Sequence, residues 1–343
     1  MHPPGATRAD PPGPRVAVFA PHPLLTVTLE SEGPEREQVH FHAGGQGVWV
    51  ARMAASLRAV PVLCGFLGGE TGELLLPLLR QACGEGRLVR TASTSGCYVT
   101  DRRSGERRLL SCALSDPPTR HELDELVSVT CAEAVSADWL VVTNPLPAES
   151  LPLETYGELV ADARAVGCRT LVDLSAPRLD SALRGEPDLV KLNDWELAQF
   201  VRGPVSEPSQ LRAGAQLLRD QGAAAVIVTR GEKRALVLTG DRTWWLTPPR
   251  LTRGFREGCG DAMMGGLAAT LAQGETFERS VVVGAAAGAA NFLRHGLGSA
   301  SREVVERLAE NVVLEPFTDA EEPDGRARSR SAPSPPSRRA ALP

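Results

Sequence analysis

Gly258-Cys259-Gly260-Asp261-Ala262-Met263-Met264-Gly265-Gly266 is the stretch on which the reading of this chain turns. Two glycines frame a small residue, an acid follows, and a small, apolar run opens. Such a segment predicts a tight turn feeding a helix N-terminus. Free backbone N–H groups there, together with the helix dipole, make a seat for a phosphate or an oxyanion. A fixed carboxylate would repel that anion, so it is useful only where it removes a proton. The pattern therefore predicts phosphoryl transfer to a hydroxyl, with Asp261 as base. Taken alone, the same residues also suit an N-capping aspartate behind a glycine-rich loop.

Upstream of this stretch, strand-like and helix-like segments alternate. Arg15–Ala20, Pro61–Phe66, Trp139–Thr143, Thr170–Asp173, Leu189–Leu192 and Ala225–Thr229 read as short buried strands. Gly47–Arg58, Leu74–Ala82, Leu151–Val166 and Ser209–Gln221 read as helices; the first carries Val50, Met53, Ala54 and Leu57 at i, i+3, i+4, i+7. This β-α rhythm predicts a mostly parallel sheet with helices on both faces. Two stretches break it. Thr26–Leu29 with Gln38–His42, and Gly96–Thr100 with Arg107–Cys112, predict a small antiparallel β lid drawn from about residues 26–42 and 96–112. A lid would keep water away from phosphoryl transfer.

Bulk properties narrow the function classes. The 343 residues are 42% hydrophobic and 23% charged, ordinary for a soluble globular protein. A net charge of -5 argues against nucleic acid as a partner. No run approaches the roughly 20 apolar residues of a membrane span. Seven scattered cysteines match neither zinc nor disulfide spacing, and reduced thiols in a cytoplasmic protein are expected. Residues 1–14 are Pro-rich without the apolar core of a secretion signal, and 318–343 are rich in Pro, Ser and Arg; both tails are expected to be disordered. A single folded domain is expected over 15–317.

Three further segments carry chemistry. Gly44-Gly45-Gln46-Gly47 precedes the first helix, and lacks the G-K-[ST] ending of a P-loop. Lys191-Leu192-Asn193-Asp194-Trp195-Glu196 follows a strand and sets an amide and a carboxylate three residues apart, a sensible pair for water-mediated Mg²⁺. A helix start with an early acid explains the same residues equally well. Thr229-Arg230-Gly231 ends a strand with a turn, at the edge where open α/β sheets bind ligands.

Taken in order, these segments resemble the PfkB carbohydrate kinases of the ribokinase superfamily, and within them the 1-phosphofructokinase and tagatose-6-phosphate kinase branch. The resemblance covers about residues 15–315. It rests on Gly44–Gly47, on Gly65-Phe66-Leu67-Gly68-Gly69-Glu70-Thr71-Gly72, on Lys191–Leu197 and on Gly258–Gly266. It implies a ribokinase-like three-layer α/β/α sandwich with a β lid, and transfer of the ATP γ-phosphate to a hydroxyl of a sugar or sugar phosphate. Carried over by position, Asp261 would be the base and the backbone of Gly258, Cys259 and Gly260 the anion hole. Asn193 and Glu196 would manage Mg²⁺ and phosphates beside Lys191. Thr229, Gly231 and Asn291 would flank the nucleotide; Thr26, Gly44, Gly45, Gln46 and Trp49 would meet the sugar-like substrate. Many relatives pair through their lids, so a homodimer is a further expectation.

The sugar-gripping end departs from the family pattern. Thr26 stands where an Asp is usual, Gln46 replaces a Lys, Trp49 replaces an Asn, and Ser95-Gly96-Cys97-Tyr98 lacks an Arg. Loss of two cations should weaken a sugar-phosphate pocket by several kcal/mol, at ~1.5–3 per charged hydrogen bond. Trp49 would suit stacking on a sugar face or an aromatic ring, or plain core packing. A nucleotide- or metabolite-binding regulator, or a kinase of nucleosides or other polyols, is the alternative function.

Overall fold

The computed structural model describes residues 13–33, 36–84, 86–104, 107–294 and 298–319. The two expected tails lie almost wholly outside the described residues. The chain opens with β1 (Arg15–Phe19), leaves the body through β2 (Leu24–Ser31) and β3 (Glu37–Gly44), and returns into α1 (Gln46–Ser56). Then come β4 (Val60–Gly68), α2 (Gly69–Cys83) and β5 (Gly86–Thr91). A second excursion, β6 (Cys97–Asp101) and β7 (Arg108–Ala113), precedes α3 (Arg120–Ala134) and β8 (Trp139–Thr143). From there strands and helices alternate: α4 (Glu154–Ala165), β9 (Arg169–Asp173), α5 (Arg178–Leu183), β10 (Leu189–Asn193), α6 (Asp194–Val201), α7 (Pro208–Asp220) and β11 (Ala225–Arg230). The remainder is β12 (Lys233–Leu238), β13 (Thr243–Thr247), α8 (Cys259–Ala272), α9 (Phe277–Phe292), α10 (Arg302–Ala309) and β14 (Val313–Pro316).

The large sheet runs β14-β13-β12-β11-β10-β9-β8-β1-β4-β5. Neighbours from β11 to β5 are parallel, and β12 to β14 add an antiparallel edge. Its strands are continuous apolar runs because both faces are covered. Val16 and Val18 pack with α1, α8 and α9, while Ala17 and Phe19 pack with α3, α4 and α5, so alternate side chains feed two separate cores. The result is the expected three-layer sandwich.

The small sheet, β3-β2-β6-β7, joins two antiparallel hairpins through a parallel β2–β6 pairing. Chain order reverses between β1 and β8, and the crevice at such a reversal is where open sheets bind ligands. Helix α8 lies across β1, β8 and β9 there. Ala262 to Thr270 are all buried, and small residues permit this: a Cβ on Gly265 would sit 2.5 Å from the Val50 carbonyl of α1. Gly265-Gly266 thus serve helix packing, and they aim the N-terminus of α8 at the crevice.

Candidate active site

The N-terminus of α8 is prepared for an anion. Gly258, its N-cap, has φ 70°, a conformation that an L side chain adopts only with strain. No side chain caps the helix; the Cys259 N–H bonds the Arg256 carbonyl at 3.4 Å, and the N–H groups of Gly260 and Asp261 stay available to a ligand. A Cβ on Gly260 would lie 2.7 Å from Lys191 Nζ. The second glycine therefore lets an ammonium rest directly against the loop.

Asp261 is the third residue of α8 and meets a dense group of charges. Burial, then the Asp173 carboxylate, pushes its carboxyl up to about 7, while Lys191 and the Gln46 side chain pull it down. Lys191 Nζ donates to Asp173 Oδ2 at 2.8 Å, with both side chains buried. Burial works against the lysine's charge, yet Asp173, Asp261 and Glu196 together raise its pKa. Glu196 is raised as well, by burial first and Asp173 second. One cation thus faces three carboxylates, and the cluster is short of positive charge. A carboxyl poised near neutrality is what general-base work requires.

The nucleotide-side candidates gather at the carboxyl ends of β10 and β11. Asn193 and Glu196 form a reciprocal capping box at the start of α6: Asn193 Oδ1 accepts from the Glu196 N–H at 2.9 Å, and Glu196 Oε2 accepts from the Asn193 N–H at 2.8 Å. The helix-start explanation is therefore part of their role, and Glu196 Oε1 stays available. Thr229 pairs in register with Asn193, and its hydroxyl donates to the Leu192 carbonyl. Gly231 turns the chain beside them under open space. Asn291 is fully buried; its Nδ2 donates to the Glu257 carbonyl at 2.8 Å and its Oδ1 accepts from the Gly298 N–H at 2.7 Å. Both ends of its amide hold loops, so Asn291 braces the anion seat from beneath.

The substrate candidates lie where the lid strands β2 and β3 run into α1. Thr26 of β2 leans over Gly44, where a Cβ would lie 2.5 Å from its Oγ1. Gly45 caps α1 with φ 105°. Gln46 turns inward: its Oε1 accepts from the Asn144 N–H at 3.0 Å, and its side chain favours the ionised form of Asp261. Trp49 is half-buried, and its carbonyl lies 2.7 Å from a Cβ placed on Gly298. The lid reaches the anion seat as well: Arg107 pairs with Glu257, and the Arg102 guanidinium lies 5.7 Å over the Phe255 ring.

Comparison with known proteins identifies the family. The pfkB family carbohydrate kinase pattern matches residues 23–303. The chain belongs to the PfkB family of carbohydrate kinases. It is 31% identical to ATP-dependent 6-phosphofructokinase isozyme 2 of Escherichia coli K12 over 278 residues, 78% of this chain and 87% of that protein. It is 32% identical to 1-phosphofructokinase of Rhodobacter capsulatus over 238 residues, 67% of this chain and 73% of that one. The structure of E. coli phosphofructokinase-2 in complex with substrates and products superposes with TM-score 0.75 at 25% identity, covering 86% of this chain and 98% of that one. Ribokinase from Arabidopsis thaliana shares the fold, with TM-score 0.65 at 17% identity over 87% of this chain and 99% of that one. As a PfkB kinase this chain is a phosphotransferase acting on an alcohol group of a carbohydrate.

Several residues of the site escape motif reading. Asp173 ends a strand foreseen over Thr170–Asp173, and an acid closing a buried apolar run was the available signal. Asn144, Arg107 and Glu257 act through partners distant in sequence, and no local pattern marks them.

Proposed function

We propose that this chain transfers the γ-phosphoryl group of ATP, with Mg²⁺, to a hydroxyl of a fructose phosphate or a closely similar sugar phosphate. The observation that carries the reading is Asp261, a half-buried carboxyl whose pKa is pushed up to about 7 beside backbone donors that no side chain caps. The two curated relatives described above are both kinases named for fructose phosphates. That favours an active sugar-phosphate kinase over a nucleotide-binding regulator or a kinase of nucleosides or other polyols.

The donor set fits Mg²⁺. Glu196 keeps one carboxylate oxygen outside the capping box, Asp173 lies nearby, and hard oxygens in small number suit an ion that retains most of its waters. Mg²⁺ would be held near Glu196 and Asn193, where it would neutralise the charge of the nucleotide phosphates. Lys191 rests against the anion loop and would contribute a fixed positive charge beside the transferring phosphoryl group. Asp261 accepts the proton of the acceptor hydroxyl. Thr26, Gly44, Gly45, Gln46 and Trp49 would meet the acceptor, and the lid, which the Arg107–Glu257 pair ties to the anion seat, would cover it.

A homodimer through the lid is part of the proposal. Val39 and Phe41 of β3 are 53% and 52% exposed on the face opposite His40 and His42, and an apolar face of that kind suits a second copy. No helix among the described residues is long and apolar enough to cross a membrane, and a cytoplasmic enzyme is proposed.

The test is ATP consumption with fructose 6-phosphate, fructose 1-phosphate, tagatose 6-phosphate and unphosphorylated fructose. Turnover of at least one sugar phosphate well above fructose is expected. Preference for fructose, or no turnover at all, would contradict the proposal.

A further inference from the structure

The carboxyl ends of β8 and β9 enclose an arginine that the reaction as described does not use. Arg178 is 7% exposed and takes part in no ion pair among the described residues. Its donors go to neutral oxygens: Nε to Asn144 Oδ1 at 3.2 Å, Nη1 to the Ala148 carbonyl at 3.0 Å, and Nη2 to Ser175 Oγ at 2.8 Å. A buried cation without a carboxylate is a poor source of stability, since an apolar side chain of similar volume would fill the space at less cost. Its use lies in what it orients.

Asn144 is held on every side. Its Oδ1 also accepts from the Ser175 N–H at 3.1 Å, and its Nδ2 donates to the Asp173 carbonyl at 3.1 Å. Its backbone N–H, so placed, donates to Gln46 Oε1 at 3.0 Å. A carboxamide that accepts through its oxygen directs its NH₂ group the other way. Gln46 and Asp261 each lie one turn before the close contact of α1 and α8 at Val50 and Gly265, and the Gln46 side chain favours the ionised form of Asp261. With the oxygen engaged by Asn144, the amide presents a donor to the carboxylate and leaves no acceptor there to compete for its proton.

We infer that Arg178, Asn144 and Gln46 are positioning residues for Asp261: the buried guanidinium fixes Asn144, which fixes the Gln46 amide with its NH₂ toward the base. The inference rests on Asp261 being the base of the proposed kinase. It moves Gln46 from an acceptor contact to a holder of the catalytic carboxylate.

A double-mutant cycle tests it, with ATP and whichever of fructose 6-phosphate or fructose 1-phosphate the wild type phosphorylates. Gln46→Leu should lower kcat by about 10–100-fold with both KM values within about threefold, the signature of a misplaced base rather than lost binding. Arg178→Met should lower kcat in the same way, and in the Gln46→Leu background should cost less than about twofold more. Losses that multiply, an unchanged kcat in Arg178→Met, or an effect confined to KM would overturn the inference. Should Arg178→Met lose its cooperative melt, Arg178→Lys takes its place under the same criteria. Substantial turnover in Asp261→Asn would instead remove the base itself, and absence of wild-type turnover would remove both readings.

Discussion

Replacing Lys191 by Met should damage stability and chemistry together, in proportions that the structure sets. The ammonium lies 2.8 Å from Asp173 Oδ2, with the two side chains only 6% and 4% exposed. Breaking a buried pair by removing one partner costs about 3–5 kcal/mol, because the other charge is left uncompensated. Removing both is far milder, so the Lys191→Met/Asp173→Asn double variant should return to within about 1–2 kcal/mol of wild type. Urea unfolding of the four proteins in the cycle reads these values. The lysine also favours ionised Asp261, so in Lys191→Met the base should titrate at higher pH and the acid limb of the rate profile should move up. A loss below about 1 kcal/mol in the single variant, or a double variant no better than the sum of the singles, would refute the account of this pair.

Other outcomes follow from the same site. Asp261 works ionised and its carboxyl is held up to about 7, so kcat should rise with pH through about 7 and then level off; a limb centred near 4 would contradict this. Arg107→Ala breaks a partly exposed pair and should change stability by about 1 kcal/mol or less. It should nevertheless raise acceptor-free ATP hydrolysis relative to transfer, because the lid loses its tie to the anion seat; an unchanged ratio counts against lid closure through this pair. Phe41→Glu should shift the sedimentation coefficient toward the monomer while leaving the melting temperature close to wild type.

Much of the fold was legible because it obeys simple periods. The buried strands are short apolar runs between helical segments, and Val16-Ala17-Val18-Phe19 feeds one core and then the other. The α8 start could be read from Gly258, whose conformation only glycine accepts comfortably, and from the acid three residues on. The helix foreseen over Leu74–Ala82 is present, but α2 begins at Gly69, and the edge strands β12 to β14 depend on tertiary packing that overrides local signals. Within the site, Asn193 and Glu196 were legible both as a spaced pair for Mg²⁺ and as a helix start, and the capping box bears out the second reading. Gln46 shows the limit most clearly. Its place in Gly44–Gly47 pointed to substrate, while its partners Asn144 and Asp261 lie about 100 and 200 residues away in the chain.

The central claim is that Asp261 takes the proton of the acceptor hydroxyl. The most direct measurement is single-turnover phosphoryl transfer by Asp261→Asn, alongside its affinity for ATP. A rate lowered by about 10²–10⁴ with ATP binding unchanged is the predicted result. Transfer within about tenfold of wild type would contradict it.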